Sequence, residues 1–134
     1  MTVEIPSDTV TLRIPRNPRY YSVARLVVGG LAAGLDISFD ALDDLQLAIS
    51  SLLDSEDMPV EGDLVMHLSV DTVSMRAGIG PFREQAVVAA FDDSHPDNEL
   101  GLQKLLTTIV DEVQIAPGAD GHWIHLVKRV GALA

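Results

Sequence analysis

The chain has no cysteine, which excludes disulfides and thiolate metal sites. Aromatic residues make up only 4% of it, so its core must be built mostly from Leu, Val, Ile and Ala. No run approaches the roughly 18 consecutive apolar residues of a membrane-spanning helix. The opening Met1-Thr2-Val3-Glu4 lacks the basic region and apolar run of a signal peptide, and a soluble cytoplasmic protein is expected. The most informative absence is of positive charge, because no Lys or Arg lies between Arg25 and Arg76.

What fills that interval is acid. Asp36, Asp40, Asp43, Asp44, Asp54, Glu56, Asp57, Glu61, Asp63 and Asp71 all fall within it, and the whole chain carries a net charge of −11. A field of that sign repels nucleic acid, so no direct nucleic-acid partner is expected. The acidic stretch reads either as a solubilising face or as a docking surface for a basic partner, steered by charge. Asp40, Asp43 and Asp44 are the docking candidates.

A length of 134 residues with 47% hydrophobic content fits one domain over 1–134 with a sizeable core. Thr9 to Ile14 alternates polar and apolar, the pattern of a half-buried strand. Asn17 before Pro18 marks a helix entry, followed by Val23, Leu26, Val27 and Leu31 at helical spacing, with Gly34 a candidate stop. A second helix begins near Asp40, read as its cap, with Leu42, Leu45, Ile49, Leu52 and Leu53 as its apolar stripe. Leu64 to Val70 and Val73 to Ala77 read as strands joined by a turn at Asp71-Thr72. Gln85 to Phe91 suits a short helix, and Asp92 to Asn98 reads as loop. A third helix is expected from about Asn98 to Val110, with Leu102, Leu105, Leu106 and Ile109 inward. Val113 to Ala116 and Trp123 to Val130 form a closing hairpin around Pro117 to Gly121. The order predicts an α+β, two-layer sandwich: a mixed, mostly antiparallel sheet with three helices on one face.

The segments Leu12-Arg13-Ile14-Pro15 with Tyr20 to Leu35, Asp44 to Ile49, Gly101-Leu102, Val110 to Val113 and Ile124 to Arg129 together resemble the anti-sigma-factor serine kinases of actinobacterial type. These belong to the histidine-kinase-like ATPase family. The resemblance runs over nearly the whole chain in order. It implies a nucleotide held between helices and a mobile lid, binding of a sigma factor, and in many members phosphorylation of an anti-anti-sigma partner on serine.

The same resemblance locates a site without its usual chemistry. Within Leu45 to Ser55, the family carries Glu-x-x-x-Asn, a general base and a Mg²⁺ ligand; here the positions read Ser51 and Ser55. Where the family has Asp-x-Gly-x-Gly, whose Asp reads the adenine amino group, this chain has Arg76-Ala77-Gly78-Ile79-Gly80. A neutral hydroxyl is no carboxylate base and a weak Mg²⁺ ligand, and a guanidinium has only donors to offer. Gly78 and Gly80 still allow a tight turn or an ordinary strand-ending loop, and Gly101 is a further remnant of the nucleotide site. Asp54 is the nearby carboxylate that a shifted site would use. His67, His95, His122 and His125 lack metal-site spacing, and no metal is expected. Trp123 reads as a packing residue on a sheet face.

The resulting expectation is a regulatory protein that binds a sigma factor or an anti-anti-sigma domain, with no confident catalytic residue and no cofactor. The alternatives are an active serine kinase, using ATP and Mg²⁺, and a non-catalytic subunit that dimerises with a kinase paralogue. A homodimer is a possible assembly under any of these.

Overall fold

The computed structural model describes residues 9–33, 38–54, 62–71, 73–84, 87 and 102–129. Five strands form one sheet: β1 (Thr9–Ile14), β2 (Leu64–Val70), β3 (Ser74–Phe82), β4 (Glu112–Gly118) and β5 (Gly121–Arg129). Their order across the sheet is β1-β2-β3-β5-β4. Every pairing is antiparallel. Three α-helices among the described residues, α1 (Tyr21–Ala33), α2 (Phe39–Leu53) and α3 (Leu102–Ile109), cover one face. The expected two-layer α+β sandwich is therefore the observed architecture, with the sheet wholly rather than mostly antiparallel.

Period-two alternation decides which residues meet the helices. Leu64, Met66 and Leu68 of β2, Met75, Ala77 and Ile79 of β3, and Ile124 and Leu126 of β5 are all buried in one cluster with Leu45, Ala48, Ile49 and Leu52 of α2. Helix α2 packs between α1 and α3. Its N-cap is Ser38, whose hydroxyl accepts the Ala41 N–H at 3.1 Å, so the cap stands two residues before the expected Asp40. Asp40 lies instead in the first turn, where its charge suits the positive end of the helix dipole.

Helix α1 departs from the expected stripe. Its buried residues are Tyr21, Ala24, Val28 and Ala32, while Leu26 is 74% exposed. Val27 and Leu31 pack at the margin of the core. The small alanines at Ala24 and Ala32 face inward because they let the helix approach the sheet closely. Bulk alone misplaced the stripe by about one residue's rotation, near 100°. In α3, Leu106 is buried and Ile109 packs against the core, but Leu105 is 40% exposed. The side chain of Leu102 lies outside the described residues, as does most of the expected 85–91 helix.

Strand β3 runs five residues past the expected end at Ala77, through Gly78, Ile79, Gly80, Pro81 and Phe82. Two glycines and a proline read as a turn in sequence, yet they continue the ladder: Gly78 pairs with His67 and His125, and Gly80 with Val65. The register slips only between Ile79 and Phe82. The β2–β3 turn is built by Asp71, whose Oδ1 accepts the N–H groups of Val73 and Ser74, both at 2.8 Å. The bond from Val73, followed by those from Ser74, holds the Asp71 carboxyl below its ordinary pKa. The β4–β5 turn ends at Gly121, with φ of +142°. A Cβ there would also stand 2.8 Å from the Phe82 carbonyl oxygen, so glycine is required twice over.

Candidate functional site

Ser51 lies on the last turns of α2, part-exposed, and its hydroxyl donates to the Leu47 carbonyl at 2.8 Å. That is the i−4 back-bond of a helical serine. The oxygen at the expected base position is thus engaged with its own helix, and a hydroxyl there cannot take up a proton near neutral pH. Asp54 caps the C-terminal end of α2 and is exposed. Ser55 and Gly101 lie outside the described residues.

Strand parity separates the remaining site candidates from Ser51. Met75, Ala77 and Ile79 point into the helix-covered core. Arg76, Gly78 and Gly80 therefore lie on the other face of the sheet. Arg76 is exposed and stands between Ser69 and Val127 of the neighbouring strands. A group held between α2 and the sheet would meet Met75, Ala77 and Ile79 rather than Arg76. The structure places Ser51 and Arg76 on opposite sides of the β-layer.

Gly78 and Gly80 have a different use from the tight turn that sequence suggested. The ring of His125 lies on Gly78, where a Cβ would stand 2.9 Å from Nδ1 and from Cε1. The indole of Trp123 lies on Gly80, where a Cβ would stand 2.6 Å from Cδ2. The missing side chains on the central strand make a floor on which rings from β5 lie flat. Trp123 stacks in turn on His67 of β2, centroid to centroid 5.3 Å with 22° between planes. Both partners are held from behind: Nε1 of Trp123 donates to Asp120 at 3.2 Å, and Nδ1 of His67 lies 3.1 Å from the Thr11 hydroxyl. Burial, and then the proximity of His67, lower the pKa of His125. The expectation of Trp123 as a sheet-face packing residue matches its position, but its contacts with His67 and Gly80 have no local signal in sequence.

The three docking candidates divide. Asp40 and Asp43 are exposed on α2. Asp44 pairs with Lys128 of β5, Oδ2 to Nζ 3.1 Å, and Lys128 also donates to the Ile109 carbonyl at 2.9 Å. Lys128 thus ties α2, the C-terminal end of α3 and β5 together, and it satisfies a terminal helix carbonyl with a cation. Asp44 is an internal tether more than a free docking charge. Sequence reading missed Lys128 and also Arg16, whose guanidinium donates to the Pro81 carbonyl at 2.6 Å and ties the end of β1 to the end of β3. Arg16 Nε is buried with no hydrogen-bond partner among the described residues, and burial lowers the Arg16 pKa.

Among the described residues, no group of three or more His, Cys, Asp or Glu is placed to hold a metal ion. No described helix is long and apolar enough to cross a membrane.

The fold and these placements define a two-layer α+β protein in which helices cover one sheet face and, among the described residues, no helix covers the other. It matches no family model. Its similarity to known proteins is to serine-protein kinases RsbW. One from Bacillus licheniformis strain ATCC 14580 is 28% identical over 99 residues, covering 71% of this chain and 60% of the relative. Another from Bacillus licheniformis is 24% identical over 130 residues, covering 81% and 78%. In Listeria monocytogenes serotype 4a the similarity rises to 37% over 46 residues, but covers 34% of this chain and spans only 29% of the relative's length.

Proposed function

We propose that this chain is a single-domain regulatory binding protein on the anti-sigma kinase fold, acting in the cytoplasm without nucleotide chemistry. It docks to a sigma factor or to an anti-anti-sigma domain and so controls transcription by occupancy. The observation that carries this reading is Ser51, a hydroxyl bonded back to Leu47 at 2.8 Å where the family resemblance requires a carboxylate base. The position of Arg76, on the sheet face away from α2, adds to it. The exposed Asp40 and Asp43 on α2 supply the charge that steers a basic partner.

The deciding experiment is titration calorimetry with ATP and Mg²⁺, paired with a phosphotransfer assay on an anti-anti-sigma protein. Neither heat nor transfer is expected. Micromolar, Mg²⁺-dependent ATP binding would overturn the reading in favour of an active serine kinase. That second reading is favoured by the relatives, which are named serine-protein kinases. Homodimerisation, or pairing with a kinase paralogue, is compatible with both and is read from sedimentation of the purified protein.

A further inference from the structure

The face of the sheet turned away from the helices differs in charge from the rest of the chain. Its outward residues are Thr9, Thr11 and Arg13 of β1, Val65, His67 and Ser69 of β2, Arg76, Gly78 and Gly80 of β3, Trp123, His125, Val127 and Arg129 of β5, and Glu112, Gln114 and Ala116 of β4, as the strand registers require. Among the described strand residues, three arginines and two histidines thus face one carboxylate, in a chain whose net charge is −11. Arg13, Arg76 and Arg129 are exposed. Three further acids stand around it, and each is engaged: Asp71 holds the β2–β3 turn and lies in the field of Arg76, Asp111 Oδ2 accepts the Arg129 N–H at 2.6 Å, and Asp120 accepts the Trp123 Nε1–H. The centre is aromatic and preorganised. Trp123 and His67 are stacked, and Trp123 is anchored by Asp120 and His67 by Thr11.

We propose that this open face is a docking surface for an acidic protein segment, seated on the Trp123–His67 pair and held by Arg13, Arg76 and Arg129. An aromatic centre whose one carboxylate, Asp120, is occupied by the indole N–H, with exposed arginines around it, is the composition of an interaction surface. Rigid rings lose little conformational freedom on contact. Charge complementarity sets the occupant: this face attracts carboxylates, whereas the acidic α2 face repels them. Nucleic acid is the poorer occupant, because its denser phosphate charge meets the long-range repulsion of the whole chain. The two faces accordingly take partners of opposite charge, and the two need not compete. This inference stands on the sheet face alone and does not depend on the fate of the nucleotide site.

Trp123 is the only tryptophan in the chain, so its emission reports directly on this face. The test titrates the full-length protein with a synthetic glutamate-rich peptide that contains leucine and no tryptophan. A saturable shift in emission is expected, weakening as salt rises. The double variant Arg13→Glu and Arg76→Glu should lose roughly tenfold or more in affinity, with its folding checked by circular dichroism. A lysine-rich peptide should leave the emission unchanged. An emission unmoved by the acidic peptide at millimolar concentration overturns the proposal. So does a response that the double variant retains, or one given by a single-stranded oligonucleotide and not by the peptide.

Discussion

The two faces of one sheet are buried by different means. On the helix side, Leu64, Met66, Ile79, Ile124 and Leu126 are at most 1% exposed because aliphatic side chains from α1, α2 and α3 cover them. On the open side, Gly78 and Gly80 are also buried, but what covers them is a pair of rings from the next strand. The first face draws its stability from apolar area withdrawn from water, at roughly 25 cal/mol per Å². The second depends on the fit of rings to bare backbone. Burial alone therefore does not identify a core. The same label covers a volume-filled interior and a surface arranged to stay open.

Substitutions should separate the two. Ile49→Ala, in the middle of the helix-side core, should cost about 2–5 kcal/mol in chemical denaturation, because the cavity it leaves cannot collapse fully. Gly80→Ala on the opposite side should cost about 1–3 kcal/mol by overpacking, since its methyl would stand 2.6 Å from Trp123 Cδ2. It should also displace the indole and change its near-ultraviolet dichroism, which Ile49→Ala should leave nearly intact. A neutral Gly80→Ala would mean that the ring floor is not a constraint.

Smaller effects sharpen the contrast. Lys128→Met should cost about 1 kcal/mol: the Asp44 pair is partly exposed and weak on its own, but the Ile109 carbonyl also loses its donor. Leu26→Gln should fall within about 0.5 kcal/mol of the parent, because Leu26 points to solvent.

The smallest effect is a pH slope. His125 titrates below the ordinary imidazole value of 6.5 in the folded protein, so the unfolded chain binds more protons between those two values. Its contribution is fully present above pH 6.5 and is lost as pH falls below it. Denaturation at stepped pH should show that loss, and His125→Gln should flatten it.

The strand and helix order was legible because alternation and helical spacing are local signals. Leu45, Ile49 and Leu52 were placed correctly for that reason. The misplacements share a cause. Ala24 and Ala32 carry too little bulk to mark a buried stripe, and Gly78-Ile79-Gly80-Pro81 carries the local chemistry of a turn. In each case the deciding partner comes from elsewhere in the chain: the sheet beneath α1, or Trp123 and His125 above β3. The site was legible only as far as residue identity goes. Ser51 and Arg76 could be named from the chain, but the side of the sheet each occupies depends on which face the helices cover, a property of the whole fold. The Asp44–Lys128 link joins segments too distant for any periodicity to reveal.

The strand order also sets how the molecule assembles itself. The β2–β3 and β4–β5 pairs are hairpins that close over short turns, but the sheet becomes continuous only when β3 meets β5, bringing Ser74 to Arg129 and Phe82 to His122. Likewise β1 must wait for β2, with Ile14 finding Leu64 across both of the first two helices. Contacts between such distant positions cost loop entropy before they return any burial, and chains dominated by them fold slowly. The β1–β2 and β3–β5 closures therefore span the longest loops in the sheet, the second of them forming the seam between two hairpins. The glycine floor and its covering rings lie on that seam, so the open face takes shape only as the halves close.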